Sequence, residues 1–303
     1  MNKLRTPLLT VLALISALAG CAVLGPPRVD IVTEVPGPPE GLAYYNGHLY
    51  AGMAVSGQVL KIAPDTGSKE PYATFPSKPK ATFLAGLVFS PAGELYAGVI
   101  SFDPAIWSGV YKVPAGGGTP VRFAGPMAFP NGLAFDARGN LYVSSSSDGR
   151  IYRADPGGKL EVFSDAEALK SHHPHGPFKI GVNGLAFDKS GNLYISNTDD
   201  GTIMRMALAP QGRTGAITEL AKGLEGADGI EFDDRGNLYI ALNRQDRVVV
   251  MTPDGRVSEV ASGPQIKYPS TVIPVGDKAY IANFNNATRT PPFTIAVVPG
   301  RRN

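Results

Sequence analysis

"PNGLAFDARGNLYVS" (Pro130–Ser144) and "VNGLAFDKSGNLYIS" (Val182–Ser196) are nearly the same fifteen residues, and "ADGIEFDDRGNLYIA" (Ala227–Ala241) repeats them with Asp228 in place of Asn131 and Asn183. Each copy holds an apolar segment, an Asp-x-x-Gly-Asn turn and a second apolar segment, the pattern of two strands joined by a tight hairpin. Its first glycine falls at Gly41, Gly86, Gly132, Gly184 and Gly229, spaced 45, 46, 52 and 45 residues apart, and a degenerate sixth copy, "YPSTVIPVGDKAYIANF", begins near Tyr268. A period of about 40–50 residues in strand-only patterning marks propeller blades, four-stranded sheets that bury their faces only against neighbours. The fold class is therefore all-β, a six-bladed β-propeller.

The third copy predicts one whole blade: Gly132–Phe135 innermost, then Leu141–Ser144, Arg150–Arg153 and Leu160–Phe163. The sixth supplies only three strands, Thr271–Val275, Lys278–Asn283 and Thr294–Val298, so the strand-like Val29–Val35 is expected to complete it and close the ring. Closure also removes exposed sheet edges. Asp165–Lys170 is the one short helical candidate.

Residues 1–20 read as a leader, with Lys3 and Arg5 ahead of an apolar run from Leu8 to Ala19 that is too short to span a membrane comfortably. The run ends in Leu18-Ala19-Gly20-Cys21, which resembles a bacterial lipobox, so Cys21 is expected to be the lipidated first residue of an exported chain, with residues 21–28 as tether and 29–303 as one domain. Cys21 is the only cysteine, which leaves the body without internal disulfides. Without Lys3 and Arg5 the chain carries 26 basic and 26 acidic residues. A neutral body argues against nucleic acid or anionic lipid as partner, and no protein partner is evident.

In a propeller the innermost strands line a central channel, and the residue before each "G-L" marks one level of it. Around the ring that residue is Glu40, Ala85, Asn131, Asn183, Asp228 and Ser270 or its neighbour, while the positions beside it stay small or apolar. Variation at one phase of a repeated scaffold is how a site is written onto a fold. Two carboxylates on one axis repel unless neutralised, and an all-oxygen set of mixed charge suits Ca²⁺, or another hard divalent cation, better than zinc. Each Asn-Gly or Asp-Gly pair taken singly also reads as a tight turn.

The motifs "PPEGLAY" with Glu40, "PNGLAF" with Asn131, "VNGLAF" with Asn183 and "ADGIEF" with Asp228 resemble the senescence marker protein/gluconolactonase-like family of calcium-dependent six-bladed propellers, with paraoxonase and diisopropyl fluorophosphatase as distant relatives. The resemblance covers nearly all of the chain after the leader. It implies that Glu40, Asn183 and Asp228 hold calcium, that Asn131 is a ligand or substrate contact, and that Asp228 is a general base or nucleophile. Members of the family often carry Arg two residues before the third-blade Asn, where this chain has Phe129, which fits a more apolar lactone or ester than a sugar lactone.

The expected activity is hydrolysis of a small lactone or related ester, the cation acting as Lewis acid at the carbonyl. A non-catalytic binding propeller and a propeller lyase remain as alternatives. Three loops are long enough to shape a substrate site: the one with His172, His173 and His175, the one with Phe102 and Trp107, and Phe284–Phe293. The histidines read as a solvated loop, or else as an acid or second metal site. Phe102 and Trp107 read equally as a wall of the site or as ordinary packing. No Gly-x-Ser-x-Gly occurs, against a serine hydrolase, and Ala115-Gly116-Gly117-Gly118 reads as a turn.

Overall fold

The hairpin turns follow from their aspartates. Asp136 Oδ1 accepts the N–H groups of Arg138 and Asn140, each at 2.9 Å, while Oδ2 accepts Asn140 Nδ2 at 2.8 Å. Asp188 and Asp233 repeat the arrangement with Asn192 and Asn237. The closing glycines Gly139, Gly191 and Gly236 have φ of 81°, 80° and 82°, a left-handed conformation that glycine adopts without steric cost.

The computed structural model describes residues 28–209, 213–285 and 290–300; the leader, Cys21 and most of the tether lie outside them. The described strands form six four-stranded antiparallel sheets. Blade one begins with Pro39–Tyr45, blade two with Thr82–Phe89, blade three with Pro130–Phe135, blade four with Val182–Phe187, blade five with Ala227–Phe232 and blade six with Pro269–Val275. Each of these is the innermost strand of its sheet. Blade three continues through Leu141–Ser145, Arg150–Ala154 and Leu160–Ser164, within a residue or two of the expected bounds. Asp30–Val35 pairs antiparallel with the strand Phe293–Pro299, Asp30 facing Val297 and Val35 facing Phe293, so the N-terminal strand completes blade six as expected. The helical candidate is smaller than its prediction, a single 3₁₀ turn at Glu167–Leu169.

The core is divided among the blade junctions, one apolar cluster to each. The repeated Phe and Tyr explain themselves here. Tyr96, Tyr142 and Tyr194, from the second strands, meet Phe135, Phe187 and Phe232 of the following inner strand edge to face, at centroid distances of 5.1, 5.0 and 4.8 Å. Such pairs add about 0.5–1.5 kcal/mol each beyond simple burial.

Candidate functional site

All six inner strands break register with their second strand at one level: between Pro39 and Leu42, Leu84 and Leu87, Pro130 and Leu133, Val182 and Leu185, Ala227 and Ile230, and Pro269 and Thr271. The residue that varies around the ring sits in each gap, so a bulge frees it from the ladder. The tight-turn reading of Asn131-Gly132 and its relatives is thereby excluded, because these pairs lie inside strands and their glycines lack positive φ.

Those glycines answer to the next blade. A Cβ on Gly132 would lie 2.1 Å from the Asn183 carbonyl oxygen; on Gly184, 2.3 Å from that of Asp228; on Gly86, 2.4 Å from that of Asn131. Each varied residue is thus positioned by the glycine of the preceding blade. Serines fasten the contact: Ser144 Oγ accepts the Gly132 N–H at 2.8 Å and donates to Asn183 O at 2.6 Å, and Ser196 does the same for Gly184 and Asp228 O, both at 2.7 Å. In blade six the hydroxyls of Ser270 and Thr271 both donate to Glu40 O at 2.8 Å. Ser270, the sixth residue at this level, therefore serves ring closure and does not line the site.

Glu40, Asn131, Asn183 and Asp228 line one cavity of about 220 Å³ at one end of the channel, with Ala85 in the blade-two position. Three of them are gripped by the residue fifteen further on. Asn131 Nδ2 donates to Ser146 Oγ at 3.2 Å, Asn183 Nδ2 donates to Thr198 Oγ1 at 2.9 Å, and Asn243 Nδ2 donates to Asp228 Oδ2 at 2.9 Å. Burial pushes the Glu40 carboxyl well above the usual carboxylate range, and the charge of Asp228 adds to the effect. Burial also pushes Asp228 up to about 7, against hydrogen bonds from Asn243 and Asn183 and the charge of Arg244.

A half-buried Glu40 and a buried Asp228 that resist ionising together, beside two side-chain amides, fit a hard divalent cation, whose charge they balance. The donor set is no His or Cys cluster: among the described residues, no three His, Cys, Asp or Glu side chains gather as a metal-holding group.

Sequence reasoning missed Asn243 and Arg244, which lie in a 3₁₀ turn after the second strand of blade five. Arg244 is the only cation among the described residues lining the cavity. Its guanidinium donates to Asp199 Oδ1 at 2.6 Å and to Thr198 O at 3.2 Å. The fully buried Asp199 also accepts Ser171 Oγ at 2.6 Å and the Ile180 N–H at 2.7 Å through Oδ2. The signal for Asn243 was its spacing from Asp228, matching that of Ser146 from Asn131 and Thr198 from Asn183.

A family model described as SMP-30/Gluconolactonase/LRE-like region matches residues 30–213 and 165–283. The chain belongs to this family. Similar solved structures include a gluconolactonase from Xanthomonas campestris (18% identity, 91% of this chain and 90% of that one, TM-score 0.69). A regucalcin from Agrobacterium tumefaciens, described as a calcium-binding protein, aligns at 17% identity over 91% and 96% of the two chains with TM-score 0.67. An inactive form of virginiamycin B lyase from Staphylococcus aureus aligns at 16% identity over 84% and 81% with TM-score 0.58. These likenesses carry the propeller fold. No curated protein matches the chain in sequence.

The long loops of this SMP-30/gluconolactonase-like propeller divide in their roles. Phe102 and Phe284 line the cavity, whereas Trp107 packs edge to face on Tyr111 at 5.3 Å and under Arg122, away from it. Residues 286–289 of the third loop lie outside the described residues. The histidines are also away from the cavity. His172 Nδ1 pairs with Asp200 Oδ2 at 2.6 Å, and the backbone N–H groups of His172 and His173 donate to Asp200 Oδ1 at 2.9 and 3.1 Å.

At the other end of the channel Glu231 shares a cavity with Tyr44, Phe89, Phe135 and Phe232, and among the described residues only the Phe232 N–H donates to its carboxyl. Burial pushes Glu231 up to about 7 from an ordinary 4.5. Between those values the folded chain holds a proton the unfolded chain has lost, so stability falls as pH rises through this window. Glu231→Gln removes that dependence. With partial solvent contact discounting the shift, the variant is expected to be more stable by about 1–2 kcal/mol near pH 8 and equal to the parent below about pH 4. Urea unfolding at the two pH values checks this; an unchanged pH dependence refutes it.

Proposed function

We propose that the chain is an exported, lipid-anchored hydrolase that cleaves a lactone or related ester with the help of a divalent cation, Ca²⁺ in the first instance. The observation that carries this reading is the pair of carboxyl groups, half-buried Glu40 and buried Asp228, sharing one cavity with the amides of Asn131 and Asn183. These four residues would hold the cation, which when bound supplies Lewis-acid polarisation of the substrate carbonyl. The names of the gluconolactonase and regucalcin neighbours support the substrate class and the metal.

Asp228 is placed for proton transfer, because Asn243 holds one carboxylate oxygen and the side chain lines the cavity. As general base it takes a proton from water while the water oxygen bonds to the carbonyl carbon. The acyl C–O bond then breaks and the departing oxygen gains a proton, leaving an acid and an alcohol, which for a lactone are one molecule. As nucleophile, Asp228 would instead form the acyl bond itself and be freed by water. Arg244, held by Asp199, keeps a positive charge beside the reacting carboxyl. The leader and Cys21 support export and anchoring, facing the periplasm or the cell exterior.

A panel of lactones, aryl esters and phosphotriesters, assayed with the metal-loaded protein, after exhaustive chelation and after calcium is restored, tests the proposal. Chelation is expected to lower hydrolysis at least about a hundredfold, with recovery on adding calcium. Hydrolysis that survives chelation removes the cation from the mechanism, and inertness toward the whole panel favours the binding-propeller alternative.

A further inference from the structure

Three phenylalanines from three separate segments meet at the mouth of the cavity. Phe102 follows the second strand of blade two, Phe129 enters blade three, and Phe178 belongs to the loop before blade four. Phe102 and Phe178 stack at 5.5 Å with an interplanar angle of 18°, and Phe129 lies 6.3 and 6.1 Å from them. All three line the cavity, yet Phe102 and Phe178 remain 50% and 47% exposed. Large aromatic surface kept in water beside a polar floor is the mark of a ligand-binding face.

Position as well as composition is fixed. The loop carrying Phe178 is tied at its start by Ser171 Oγ to Asp199 and by the His172 and His173 N–H groups to Asp200, and at its end by the Ile180 N–H to Asp199. A loop held at both ends by neighbouring carboxylates offers its ring without a large ordering cost on binding.

From this geometry we infer that the substrate carries an apolar arm, alkyl or aryl, which lies between Phe102, Phe129 and Phe178 while its carbonyl reaches the floor at Asp228. The inference rests on the hydrolase reading and names its substrate class. Phe83, Ile100, Ile180 and Phe284 add further apolar surface to the same cavity. A polyhydroxylated lactone would set its hydroxyls against this wall without partners, and buried unpartnered hydroxyls are strongly disfavoured.

The test uses butyrolactones with alkyl arms from methyl to hexyl, against gluconolactone. kcat/KM is expected to rise about two- to fourfold per methylene, mostly through KM, and the hexyl lactone to surpass the sugar lactone. Phe102→Ala/Phe178→Ala is expected to flatten the series to less than about 1.5-fold per methylene. An unchanged slope in the double variant, or preference for gluconolactone, overturns the inference. A second measurement is independent of hydrolysis: the neutral fluorophore N-phenylnaphthylamine, titrated into calcium-loaded protein, is expected to bind at least about fivefold more weakly to the double variant. Equal binding overturns the aromatic clamp, whereas clamp-dependent binding with no turnover of any ester sinks the hydrolase reading and leaves the clamp standing.

Discussion

Asp228→Asn is expected to lower hydrolysis by about 10²–10⁴, the usual contribution of a positioned general base, while the propeller stays folded. Asn keeps an oxygen where Asp228 Oδ2 accepts Asn243 Nδ2, so the local hydrogen bond survives the change. In chelator the variant is expected to melt no lower than the parent, because a like charge facing Glu40 has been removed. In calcium the order reverses. The parent gains about 2.7 kcal/mol at a hundredfold excess of ligand over Kd, and the variant, with one of two charged donors gone, gains less. Paired rates and melting curves check both statements. Full activity in Asp228→Asn would refute the assigned role even if the calcium effect were intact.

Gly132→Ala is expected to cost about 3–5 kcal/mol and lower the melting temperature by roughly 8–12 °C, although only a methyl group is added. The added carbon would stand 2.1 Å from Asn183 O and 3.0 Å from the Gly184 Cα, both backbone atoms that no rotamer change can move away. Blades three and four would have to part. The same displacement shifts Asn183 relative to Asn131, so the calcium-dependent gain in melting temperature should shrink too. Gly176→Ala is the control: its methyl would meet nothing within 4 Å, and its stability should stay within about 0.5 kcal/mol of the parent. Equal melting temperatures for the two variants would show that the hub glycines are not packed as described.

The propeller was legible because one unit is written six times, and errors at the edges of a strand do not accumulate when the next copy restarts the frame. Even the closing strand could be inferred, since the sixth copy is one strand short. The Glu40, Asn131, Asn183 and Asp228 set was legible for a related reason: a repeat makes departures at one phase stand out. Arg244 and Phe178 lie where the repeat lapses, in a turn and a loop peculiar to one blade, so nothing in neighbouring copies marks them, whereas Asn243 is marked by the fifteen-residue spacing that Ser146 and Thr198 share. The glycines were placed in the inner strand by the sequence pattern, but the reason for them was not legible. Their cause is an oxygen more than forty residues away, which only the curvature of the ring brings near.

Ring closure has a kinetic consequence. Asp30 pairs with Val297, so the last blade draws on the two extremes of the folded chain and has about the longest contact order this length allows. Loop-closure entropy must be overcome before that sheet can form, and until Phe293–Pro299 is in place the N-terminal strand has no partner in the ring. A chain translocated from its N-terminus would therefore emerge with this strand waiting, and the propeller would lock only when synthesis and passage were nearly complete.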